Sequence, residues 1–105
     1  MRTLNLIAIL ALILLTSCTW VKPTDSGQHV QLSNESQISQ CKKIGKTTVS
    51  VLDKVGFVSR SEDLVAKELS TLARNSGASM GGDTVVPVDA PSNGEQSFDV
   101  YQCGR

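Results

Sequence analysis

The stretch LARNSGASMGGDTVV, residues 72–86, changes character at its centre. Up to Met80 its apolar residues keep helical spacing with those before it. Val65, Leu69, Leu72, Ala73 and Met80 fall on one face, which Ser76 shares. Gly81 and Gly82 then stop the helix, because glycine reaches the left-handed backbone of a helix terminus without a side-chain penalty. After Asp83, the run TVVPV at 84–88 reads as a strand, so a helix hands over to a β-element within a few residues. Pro87 has no amide hydrogen to give to a ladder, which predicts an edge strand or a bulge there.

Working back from this junction, Ser61 is placed as a helix N-cap. Glu62 and Asp63 put negative charge in the first turn, where the helix dipole favours it. The helix is therefore expected over 61–80. Residues 52–60, LDKVGFVSR, read as an irregular connection that turns at Gly56, and 41–51 as a strand in which Thr47, Val49 and Val51 recur with period two. Ile44 falls on the opposite parity and Gly45 follows it, which predicts a bulge or twist point. HVQL at 29–32 alternates as a short strand does and is followed by the polar SNESQISQ. Forward of the junction, APSNGE is a turn, and 96–103 forms a last strand. That strand puts Phe98 and Val100 on one face and Asp99, Tyr101 and Cys103 on the other. The fold class that results is α+β, one main helix packed on a small, mostly antiparallel sheet.

The N-terminal region has a different logic. Arg2 gives a short positive end, residues 6–15 are an unbroken apolar stretch, and Thr16 and Ser17 are small residues before Cys18. This is the layout of a secretory signal peptide over 1–17, and the run is about half of the roughly 20 residues needed to span a bilayer. Leu15-Thr16-Ser17-Cys18 resembles the bacterial lipobox, in which the cysteine thiol takes a diacylglycerol and becomes the new amino terminus. Thr19 stands where many inner-membrane lipoproteins carry aspartate, so this likeness implies the outer membrane, with the protein facing the periplasm. Residues 18–28 are then a lipidated N terminus and tether, and 29–105 a periplasmic domain. Trp20 has two roles open to it, a lipid-interface anchor or a side chain packed on the domain.

Ten basic and ten acidic residues balance, which removes nucleic acid as an electrostatic partner; the membrane is reached through lipid. With Cys18 assigned to lipid, Cys41 and Cys103 remain as a pair in a compartment that oxidises thiols, and a disulfide is the expected state. It would staple the first long strand to the last. Two alternatives stay open: a metal site from Cys41, Cys103 and His29, and a redox-active thiol pair, although no C-x-x-C or H-x-x-H spacing occurs. His29 is the sole histidine and no serine lies in a G-x-S-x-G context, so no catalytic residue and no cofactor is expected. Gly81-Gly82-Asp83 follows a helix instead of preceding one, the wrong end of the dipole for a phosphate.

LARNSGASMGGDTVV, with C-x-x-I-G at 41–45 and V-Y-Q-C at 100–103, resembles a family of small bacterial lipoproteins of unknown function, itself distantly similar to the envelope-stress sensor lipoprotein RcsF. The resemblance covers residues 29–103. It places Cys41 and Cys103 at positions the family would pair, Ala73-Arg74-Asn75 in the helix signature, and residues 81–86 in the turn to the next strand. RcsF-type sensors carry four cysteines and a long proline-rich spacer, where this chain has two cysteines in the domain and a short tether. The resemblance implies a non-catalytic envelope lipoprotein that acts as an interaction or sensing module with an envelope protein partner. The alternatives are a structural or assembly accessory of the outer membrane and, third, a small-ligand or metal binder.

Overall fold

A computed structural model of the chain describes residues 21–104. The leader, Cys18 and Trp20 lie outside the described residues. The elements in chain order are β1 (Gln31–Leu32), β2 (Lys42–Ser50), β3 (Lys54–Val55), β4 (Val58–Ser59), α1 (Glu62–Ser79), β5 (Thr84–Pro87) and β6 (Glu95–Gln102), with short 3-10 turns at Gly27–His29 and Glu35–Gln37. One sheet has the order β1-β5-β6-β2 and β3 pairs with β4 in a separate hairpin. Among the described residues only β1 runs parallel to its neighbour; the other pairings are antiparallel. The α+β expectation therefore holds, helix on sheet.

The helix buries Val65, Glu68, Leu69, Ala73 and Gly77. Facing them, Val85, Phe98 and Val100 are fully enclosed, and Val30 and Val49 complete the core. Each such large apolar side chain, taken out of water, stabilises by about 1.5–3 kcal/mol. Gly77 allows the close approach, since a Cβ there would meet Val85 Cγ1 at 2.7 Å. Thr47 and Ser76 meet hydroxyl to hydroxyl at 2.7 Å, so the polar residue on the helix face has a partner in the sheet. Met80, expected on the buried face, is instead the C-cap and 40% exposed.

Helix termination follows the two glycines, each for its own reason. Gly81 has φ +85°. Its amide donates to Ala78 O (3.0 Å) and that of Gly82 to Gly77 O (2.8 Å), the paired bonds of a Schellman terminus. Gly82 has no room for a side chain, because Val100 Cγ1 already occupies the place of a Cβ. At the other end Ser61 occupies the N-cap position and its carbonyl accepts from Val65 N–H, but its hydroxyl makes no capping bond.

The ladder shifts register between Lys43 and Gly45, as the parity of Ile44 predicted. The extra residue turns Ile44 back to the side where Val49 packs, so both reach the core. Pro87 corrects an expectation: β5 is an interior strand, not an edge. Val88 N–H donates to Ser97 and Val85 O accepts from Ser33, so alternation turns the position-87 nitrogen toward the β1 side. Since β1 pairs only with Thr84 and Val85, Pro87 lies past its end and no ladder bond is lost. The strand expected at 29–32 is shortened to Gln31–Leu32, because the 3-10 turn takes His29 and Val30 closes it with an amide bond to Gly27 O. Residues 52–60, expected to be irregular, contain the β3–β4 hairpin turning at Gly56, whose φ is +63°.

Candidate functional site

The helix signature residues hold the N-terminal segment. Arg74 Nε donates to Val30 O at 2.7 Å and its Nη2 to Gln28 O at 2.9 Å. Asn75 Nδ2 donates to Lys22 O at 2.9 Å, and its Oδ1 accepts from the Thr24 amide at 2.9 Å. Thr24 in turn orders the turn that follows, accepting from the Gly27 amide on Oγ1 and from the Gln28 amide on its carbonyl. Gly27 is buried, with Asn75 Oδ1 where a Cβ would sit. Residues 22–28, read from the sequence as part of a tether spanning 18–28, are thus laid against the helix. No local pattern in the sequence marks this attachment, because the bonds join residues 44 to 53 apart.

At one end of the domain, Cys41 and Cys103 are joined, Sγ to Sγ at 2.02 Å with their Cα atoms 4.2 Å apart. Asp83 clamps the same end. Its carboxylate accepts from the Cys103 amide (2.8 Å), the Gly104 amide (3.0 Å) and the Thr84 hydroxyl (2.9 Å). The Gly81-Gly82-Asp83 run is therefore a helix stop followed by a clamp on the chain's last strand, and it presents a carboxylate where a phosphate loop would present bare amides. His29 ends a 3-10 turn as an exposed residue. Among the described residues no group of three or more His, Cys, Asp or Glu side chains gathers in a metal-holding arrangement. No helix among them is long and apolar enough to cross a membrane.

The opposite end carries the hairpin. Arg60 and Glu68 form a two-bond ion pair at 2.7 and 2.9 Å, with side chains 10% and 9% exposed. Arg60 also donates to Leu52 O at 2.7 Å, and its amide donates to Asp53 O, which ties the hairpin to β2 and α1. Its hydrogen bond to Glu68 raises the guanidinium pKa still further above its ordinary value. One cavity of about 530 Å³ lies between the hairpin base, the start of α1 and residues 90–94. A second, of about 560 Å³, is walled by Val21, Val51, Leu52, Glu68 and Leu72. The pair and both cavities were not legible in the sequence, where Glu68 carries no sign of its partner.

The chain matches the model of one family, a domain of unknown function designated DUF4156, over residues 21–103. No curated protein and no solved structure gives a significant match. The matched stretch takes in the segment held by Asn75 and runs to the disulfide's second cysteine.

Proposed function

We propose that this chain, which belongs to the DUF4156 family of domains of unknown function, is a lipid-anchored protein of the cell envelope. In this reading Cys18 carries the acyl chains, the domain faces the periplasm from the outer membrane, and its role is interaction or sensing without catalysis. The observation that carries the proposal is the spacing between the lipobox-like Leu15-Thr16-Ser17-Cys18 and the segment held on the helix from Lys22 onward. Residues 19–21 reach at most about 11 Å when fully extended, so acylation at Cys18 would keep the domain against the bilayer. The disulfide supports a compartment that oxidises thiols. Arg74, Asn75 and Asp83, the polar residues of the family-like motif, spend these hydrogen bonds inside the domain, so their part is structural and a partner would be met by other residues.

Cells fed a clickable fatty acid test the anchor. The protein is expected to take the label and to sediment with the outer membrane, and Cys18→Ser to lose both; an equally labelled variant would refute the assignment. Crosslinking of the lipidated protein in intact envelopes, followed by identification of what is captured, separates a signalling partner from an assembly partner.

A further inference from the structure

The most exposed large apolar side chains among the described residues gather at one end of the molecule. Phe57 is fully exposed (106%), and beside it Val58 is 70% exposed, Val55 54% and Leu52 61%. Phe57 follows Gly56 at the turn of the β3–β4 hairpin, so its ring stands at an uncharged tip, Val55-Gly56-Phe57-Val58, with Lys54 at the foot of one strand. Burying a phenylalanine and two valines would recover free energy that the isolated domain leaves in water.

The course of the N-terminal segment says what meets this tip. Traced backward, the chain passes Arg74 at Val30 and Gln28 and then Asn75 at Thr24 and Lys22. It then brings Val21 to the cavity it shares with Leu72, Glu68 and Leu52. It is travelling up the helix toward the helix start, the end where the hairpin stands. Cys18 is three residues from Val21, at most about 11 Å away, and Phe57 is five residues from Leu52, at most about 17 Å away. The described chain therefore ends at Val21 on the side of the domain where the apolar tip stands, with Cys18 three residues beyond it in sequence.

We propose that the β3–β4 hairpin is a second membrane contact, with Phe57, Val58 and Val55 entering the bilayer interface beside the acylated terminus and fixing the orientation of the domain. This rests on the lipid-anchor reading above. One point of attachment lets a domain tumble; two points set which face looks away from the membrane, and here that is the end closed by Cys41–Cys103. Glu62 and Asp63 lie at the hairpin base, lining the cavity there with Asp53, and they limit insertion to the tip. The contact is consequently apolar in origin and indifferent to the anionic lipid content.

The test uses the full mature lipoprotein in vesicles of phosphatidylethanolamine and phosphatidylglycerol. With Cys18 acylated and Cys41 and Cys103 bonded, Phe57→Cys supplies a single thiol for a bimane probe, and Ser79→Cys, exposed at the far end of the helix, supplies the control. The probe at 57 is expected to shift to the blue, to be quenched by lipids carrying a nitroxide near the headgroup, and to lose several-fold of its quenching by aqueous iodide. The probe at 79 is expected to stay wet, and neither result should change when phosphatidylglycerol is omitted. A probe at 57 as wet as that at 79 overturns the proposal, as does one shielded only when a captured protein is present, which would make the tip a protein-binding site. Fatty-acid labelling of Cys18 on the same samples distinguishes the two readings: unlabelled protein defeats the anchor, whereas labelled protein with a wet tip defeats the hairpin contact alone.

Discussion

A Cβ on Gly27 would collide with Asn75 Oδ1, the atom that receives the Thr24 amide, so the smallest side chain would lift the N-terminal segment from the helix. Gly27→Ala is expected to cost about 1–3 kcal/mol, the range for forcing extra volume into a packed site. Urea unfolding measures the loss, and hydrogen exchange at the Gln28 and Val30 amides, bonded to Thr24 O and Gly27 O, should accelerate with it. Asn75→Ala removes the bonds to Lys22 O and from the Thr24 amide, each worth about 0.5–1.5 kcal/mol, and should speed the same amides with a loss of similar size. Exchange left unchanged by both substitutions would refute the attachment. At this scale the sequence speaks clearly where a residue answers a local demand: Gly81 needs φ +85°, and Ile44 needs an extra residue to regain its parity. It is silent on Gly27, and for Gly82, expected as part of the helix stop, it does not show the steric reason, because the neighbours Asn75 and Val100 come from distant segments.

Elements with a sustained period were legible. The helix and the two long strands each repeat an apolar residue often enough to show the face they bury. The β3–β4 hairpin was not, because its strands are two residues long and VGFV leaves its apolar residues in water, so no alternation marks it. What holds it is the Arg60–Glu68 pair. Glu68→Ala strands a guanidinium with little access to water, and a marked fall in melting temperature is expected. The double replacement Arg60→Met/Glu68→Leu removes both charges and should recover much of that fall, since a shielded ion pair often does no better than apolar side chains of similar size. Recovery no greater than in the single variant would show that the Arg60 bond to Leu52 O matters more than the pairing. The raised Arg60 pKa also fixes a sign. A cation stabilised on folding contributes at every pH below its unfolded value and is lost only above it, so no alkaline weakening within the neutral range should trace to this residue.

For the molecule as a whole, class was readable from the helix-to-strand junction and the cysteine count, while the sheet order β1-β5-β6-β2 was not, because strand neighbours are chosen by packing across the chain. The disulfide spans 62 residues of sequence. In the chain-entropy model, closing a loop of that length stabilises by about 4 kcal/mol, a large share of what a domain this small possesses. Reduction should therefore move the urea midpoint sharply downward and leave Cys103 open to alkylation; a midpoint unmoved by reductant would show that the core suffices alone. The contrast between this covalent tie and the exposed bonds at Asn75 has a mechanical outcome. Tension on the tail loads bonds worth about 0.5–1.5 kcal/mol apiece, and these give way long before a sulfur–sulfur link does. Peeling residues 22–28 lets out about 23 Å of slack at 3.3 Å per residue, so the leash can lengthen while the body it holds stays folded.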